Sequence, residues 1–127
     1  MIKTIDTHAH LDHVDNVDEA LKEAYEAGVC GVVAVSMDLA ANMRNLEIRN
    51  KTKNPQIYLA LGMHPESLES IAPEEIQRCL QFVKDHIKEA VAIGEIGLDY
   101  WYKWAKKSEE KKKAQRDIFD LQLKAVA

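Results

Sequence analysis

The sequence predicts an α/β fold built on a parallel sheet, and three observations lead there. Short apolar runs rich in β-branched residues alternate with stretches whose apolar residues recur at helical spacing. Four such pairs follow one another as βαβαβαβα, the order expected of parallel strands with their helices outside. The second run, Val29 to Ser36, is apolar almost without interruption, as a strand covered on both faces of a parallel sheet must be. A chain of 127 residues is about one average domain and long enough to bury a core, so residues 1–127 are read as a single α/β domain.

Taken in order, Thr4-Ile5-Asp6-Thr7-His8-Ala9-His10-Leu11-Asp12 reads as one short buried strand ending in two histidines. Alternation puts Asp6, His8 and His10 on one side and Ile5, Thr7 and Ala9 on the other. Asn16, with Glu19 three positions on, is a capping-box-like start for the first helix. Its stripe is Val17, Ala20, Leu21 and Ala24, and Gly28 stands where it should stop. Asp38 caps a second helix, with Leu39, Met43 and Leu46 on its apolar side, which runs to the polar Lys53-Asn54-Pro55. Ile57 to Met63 is the third strand, closed by His64-Pro65. Pro73 suits the first turn of a third helix, where a missing N–H costs nothing, and Ile76, Leu80, Val83 and Ile87 face one way. Val91 to Glu95 is the fourth strand. A long loop carrying Tyr100, Trp101, Tyr102 and Trp104 leads to a last helix that starts near Ser108. Glu109 and Glu110 suit its positive end, and Ala114, Ile118, Leu121 and Ala125 form its apolar face.

Net charge is −4, but residues 103–116 hold seven Lys/Arg against two Glu, which leaves −9 for the rest. That asymmetry suits a local contact with an anion and not a protein coated in nucleic acid. Cys30 and Cys79 each lie inside an apolar pattern with no second cysteine nearby, and read as buried thiols, neither disulfide nor zinc ligands. No run of about 18 apolar residues exists to span a bilayer. The start, Met1 to Asp6, turns polar too early for a secretory leader, so a cytoplasmic protein without membrane contact is expected.

His8 and His10, His64, and Glu95 fall at the carboxyl ends of the first, third and fourth strands. In parallel α/β folds that edge is where ligands bind. Imidazole is a good ligand for zinc, manganese, iron or nickel, yet two ligands do not hold a metal, and a polar strand end with two satisfied histidines reads the same. Glu95, at the end of a buried strand, needs a partner: a metal, or a lysine of the following loop. Gly94 and Gly97 on either side of it allow a ligand or second backbone to approach closely. Trp101 and Trp104 beside Lys103, Lys106 and Lys107 are what a single-stranded nucleic-acid contact would need; a solvated loop whose aromatics pack on neighbours is the alternative.

Three of these stretches, Asp6-Thr7-His8-Ala9-His10-Leu11, Gly62-Met63-His64-Pro65 and Gly94-Glu95-Ile96-Gly97-Leu98-Asp99-Tyr100, resemble the N-terminal signatures of the TatD family of metal-dependent deoxyribonucleases, in the family's order and at about its spacing. The helix from Gln115 to Ala125, with Phe119 and Gln122-Leu123, is similar to the segment that follows there. The resemblance implies four βα units of a (β/α)8 barrel of the amidohydrolase type, which hydrolyses phosphodiester bonds in DNA with one or two divalent ions, magnesium, manganese or zinc. By this likeness His8 and His10 would be ligands of one metal and Glu95 a ligand that can bridge to a second. His64 would line the pocket near the substrate phosphate, and Asp99 and Tyr100 follow in the substrate-binding motif.

Members of that family run to roughly twice this length. Two further histidine ligands and the aspartate expected to activate water have no counterpart in the chain, so no catalytic base is assigned; His13 and His86 do not replace them. A half barrel would leave its first and fourth strands as open edges and form a homo-oligomer unless further chain covers them. Two other readings stay open: a small-molecule amidohydrolase or phosphotriesterase relative, to which a His-any-His strand belongs equally well, and a non-catalytic module that binds metal or oligomerises. The stretch from Gly94 to Tyr100 favours the nuclease, with single-stranded DNA or DNA ends as substrate.

Overall fold

The computed structural model describes residues 2–127; Met1, part of the polar start read above, lies outside them. Strands β1 (Thr4–Ala9), β2 (Val29–Val35), β3 (Gln56–Leu61) and β4 (Ala92–Ile93) form one sheet in the order β1-β2-β3-β4, every neighbouring pair parallel. Helices α1 (Val17–Glu26), α2 (Leu39–Lys51) and α3 (Pro73–His86) make the crossovers, and a short α4 (Lys103–Lys106) and then α5 (Glu109–Val126) follow β4. Each strand lies beside its predecessor with no reversal of direction, which is the winding of a barrel and not of a doubly wound open sheet. The fold is half of such a barrel. No described helix is long and apolar enough to cross a membrane.

The sheet is covered on its helix side by three apolar clusters. Leu11, Val17, Leu21, Val32, Ala34, Ile48 and Ile57 form one, and Leu59, Leu61 and Val83 another. Leu39, Met63, Leu68 and Cys79 form the third, with Trp104 and Ile118 packed against it. On the other face Ile5 and the Tyr58 ring flank Gly31, where an added Cβ would lie 3.1 Å from Tyr58 and 3.5 Å from Ile5. Both side chains are exposed there. The expectation that β1 is buried therefore fails: it is exposed from Thr4 to His8, because it is an edge strand whose inner side faces the open concavity. Its register with β2 also shifts between Asp6 and Ala9, so strict alternation does not carry through the histidines.

Local signals held where a side chain could reach the helix end. Asp38 Oδ1 accepts from the Ala41 amide at 2.8 Å and Ser108 Oγ from Lys111 at 3.2 Å, and Pro73 occupies the first turn of α3. Asn16 makes no side-chain cap. It sits in the left-handed region (φ 49°, ψ 46°), and its carbonyl takes the Glu19 and Ala20 amides instead. A capping side chain needs extended backbone to reach those amides.

Two helix faces are not the ones hydropathy selects. On α2, Met43 is exposed, while Asn42 and Asn45 are buried with Leu39, Ala41 and Ile48. On α5, Leu121 is exposed and Gln115 and Gln122 are the buried residues. These amides answer a need that apolar residues cannot meet, because backbone N–H and C=O groups beyond the ends of the strands have left the ladder and still require partners. Asn42 Nδ2 donates to the Gly62 carbonyl (2.8 Å) and its Oδ1 accepts from the Gly62 amide (3.1 Å). Gln122 does the same for Met63, at 3.1 and 2.7 Å, and Gln115 for Asp99, at 2.7 and 2.8 Å. Asn45 Nδ2 donates to the Val35 carbonyl and Ser36 Oγ, both at 3.0 Å.

Replacement of Asn42 by Ala strands both Gly62 groups in a dry site and should cost roughly 2–4 kcal/mol. Urea unfolding of the two proteins measures it; a change below about 0.5 kcal/mol would mean that water restores both bonds. Cys79 is fully buried, and burial pushes its thiol up to about 11, whereas Cys30 is half-buried. A water-soluble disulfide reagent at neutral pH should therefore titrate a single thiol in the native protein and two after unfolding; two fast native thiols would contradict this packing.

Candidate metal centre

Two strand ends deliver the ligands. β1 carries His8 near its end and His10 just beyond it, and the chain leaving β4 carries Glu95. The Glu95 backbone is tied to β2, because its amide donates to the Ser36 carbonyl at 2.8 Å, and the Gly94 amide donates to Leu61 at 3.0 Å. The Gly94–Glu95 peptide is cis. The glycine that permits the approach is on β3's extension: a Cβ on Gly62 would stand 2.7 Å from the Glu95 carbonyl oxygen and 2.9 Å from the Gly94 carbonyl carbon. Gly94 would meet only Ala60, at 3.6 Å, and Gly97, at φ 138°, has open space around it. The close approach expected beside Glu95 thus depends on Gly62, while Gly97 serves the turn.

The Glu95 carboxylate lies between the two imidazoles. Oε1 is 3.4 Å from His8 Nε2 and Oε2 is 3.5 Å from His10 Nε2. One ligand atom from each of the three residues falls within 4.8 Å of the others, and among the described residues this is the group that could hold a metal ion. No loop lysine pairs with Glu95 among the described residues, so that alternative for its partner falls away. The spacing itself is informative. Charge-assisted hydrogen bonds run about 2.7–2.9 Å, and these contacts are longer. Donors sharing one cation with bonds of about 2.0–2.2 Å stand roughly 3.0–3.5 Å apart. The donor set, two nitrogens and a carboxylate with both oxygens presented, fits a divalent ion.

Around this group, His64 is held by its amide on the Met37 carbonyl (2.9 Å), and its Nδ1 accepts from the Glu66 amide at 3.1 Å. An Nδ1 that accepts leaves the proton of the neutral ring on Nε2. His64 does not join the metal-binding group. Asp99 Oδ1 accepts from the Trp101 amide (2.9 Å), and the Tyr100 hydroxyl accepts from Arg116 (3.3 Å) with Lys112 Nζ 5.6 Å over its ring. His10 Nδ1 is buried without a partner among the described residues, and the His13 ring stacks on His10 at 5.7 Å while pairing with Asp12 at 3.1 Å. His86 caps its own helix through Phe82, far from this role.

A model of the family described as TatD related DNase matches residues 5–126. The chain belongs to the TatD family. An uncharacterized metal-dependent hydrolase of Methanocaldococcus jannaschii is 31% identical over 121 residues, 93% of this chain and 44% of that protein. The human deoxyribonuclease TATDN3 is 27% identical over 128 residues, 94% of this chain and 46% of that one. The crystal structure of the TatD homologue YjjV of Escherichia coli superposes with a TM-score of 0.73 at 28% identity, over 96% of this chain and 46% of that chain. The chain thus spans about half the length of the TatD relatives it matches. The half barrel read from the sequence is present, and the name metal-dependent hydrolase belongs to relatives that the chain matches.

What the sequence reading missed at this site is its bracing. Gln122, Gln115, Asn42 and Asn45 hold Met63, Asp99, Gly62 and Ser36, each next to or within two residues of a site segment. The available signal was the spacing, amides three apart on one helix and seven apart on another, which puts each pair on a shared face. Gly62→Ala should push the Glu95 segment off Ser36, at a cost of roughly 1–3 kcal/mol. Hydrogen exchange of the Glu95 amide reads it directly; unchanged protection would mean the two backbones can separate without breaking that bond.

Proposed function

We propose that this chain contributes the first half of the active centre of a metal-dependent phosphodiesterase acting on DNA, with residues 1–127 as one α/β unit of it. His8, His10 and Glu95 hold one or two divalent ions. The observation that carries this reading is the Glu95 carboxylate, with one oxygen 3.4 Å and the other 3.5 Å from the two Nε2 atoms. A divalent ion bound there supplies Lewis-acid chemistry: it acidifies water and offsets charge on phosphoryl oxygens. The mixed nitrogen and oxygen donors favour manganese or zinc over magnesium in the test tube, although cellular supply decides which is used.

The chain's own residues then orient and bind. The two imidazoles and the carboxylate are set on strand ends, so their geometry is rigid. His64, with its proton on Nε2, offers a neutral hydrogen-bond donor to a phosphate oxygen, and Asp99 and Tyr100 would bind substrate from the loop that follows Glu95. The names of relatives, such as the human deoxyribonuclease, support DNA over a small amide or phosphotriester. The base that takes the proton from water is not assigned to any residue of this chain.

Titration with manganese, followed by calorimetry, should show binding that weakens at least about tenfold in His10→Ala and in Glu95→Gln. Undiminished affinity in the His8→Ala, His10→Ala, Glu95→Gln triple variant would remove the reading. Release of nucleotides from single-stranded DNA, sensitive to chelator and to Glu95→Gln, separates the nuclease from a phosphotriesterase assayed beside it.

A further inference from the structure

We propose that Trp101 is a stacking platform for an unpaired base of single-stranded DNA at the rim of the metal centre, an inference that rests on the nuclease reading and names how the strand is gripped. Trp101 is 80% exposed. It is nevertheless held: its amide donates to Asp99 Oδ1 at 2.9 Å, and the Asp99 peptide is itself clasped by the buried Gln115 at 2.8 and 2.7 Å. Its ring stands edge-on to Tyr102, with centroids 5.9 Å apart at 71°, and Tyr102 stacks on Trp104 at 5.8 Å and 15°. Trp104 packs on the cluster of Leu39, Met63, Leu68 and Cys79. The three rings therefore form a ladder rooted in the core at one end and bare at the other. The two tryptophans divide the alternatives read from the sequence: Trp104 packs on the core, and Trp101 touches Tyr102 by an edge and leaves its face to solvent.

The bare end is on the loop that leaves β4 through Glu95. The Tyr102 hydroxyl is held above its ordinary range by burial first, then by Glu66 and by the negative charges of Asp99 and Glu95. On the other side the surroundings are cationic. Lys103, Lys106 and Lys107 are exposed and make no ion pair among the described residues. Lys111 Nζ lies 6.0 Å over the Trp104 ring. An aromatic face with a run of unpaired lysines beside it is the pattern that binds single strands, with bases on the ring and phosphates on the cations. A duplex keeps its bases stacked on one another and gains nothing from the ring.

The test uses the full chain, with chelator and again with calcium, at low ionic strength. The probes are labelled oligothymidylate, an abasic oligomer of equal length and a duplex. Trp101→Ala should bind oligothymidylate about 5- to 100-fold more weakly and Trp101→Phe within about threefold of the native chain, while the abasic oligomer is bound alike by all three. The chain has two tryptophans, so Trp104→Phe leaves Trp101 as the sole emitter and oligothymidylate should quench it. Equal oligothymidylate binding by the native chain and Trp101→Ala overturns the platform and leaves the metal titration standing. So does an equal loss on the abasic oligomer, a duplex bound as tightly as the single strand, or a native chain that binds no oligomer in either condition. Loss of the metal-binding result instead overturns the nuclease reading, independently of these variants.

Discussion

The arrangement depends on how the backbone is satisfied where the strands run out. A parallel ladder ends abruptly, and each peptide beyond it carries a donor and an acceptor into a region that helices keep dry. Leaving one such group unpaired costs about 1–3 kcal/mol. Asn42, Gln115 and Gln122 each clasp the backbone of one residue, giving a donor to its carbonyl and an acceptor to its N–H. A side-chain amide thus stands in for the missing neighbouring strand. The residues so held, Gly62, Met63 and Asp99, belong to the same stretches that carry His64 and follow Glu95, which makes packing of α2 and α5 a condition for the site's geometry.

Within that frame the two imidazoles and one carboxylate are brought together at distances that suit a shared cation better than direct hydrogen bonds. His8 is exposed, and His10 and Glu95 are half-buried. Gly62 decides how near Glu95 can come, since no side chain fits between its backbone and the peptide that precedes Glu95.

Charge is sorted by position along the chain. Glu95 follows β4 and Asp99 lies on the loop after it, and the excess of lysines falls on α4 and the start of α5. A polyanion approaching such a surface meets attraction on one side and repulsion on the other, which orients it. Trp101 and Tyr102 lie between the two along the chain.

The order of strands and helices, the cap at Asp38, the start of the last helix near Ser108 and the convergence of His8, His10 and Glu95 were legible in the residues, because periodicity, local capping and strand-end position are short-range properties. Burial of β1, the inward faces of α2 and α5, and the glycine that matters beside Glu95 were not. Each depends on what the other elements bring near: β1 is exposed because one side of the sheet is open, Asn42 and Gln122 are inside because strand ends need amides, and Gly62 is required because the peptide before Glu95 passes across it. Hydropathy ranks a residue by its own transfer cost, whereas the folded chain ranks it by the partners it meets, and only the tertiary structure supplies those.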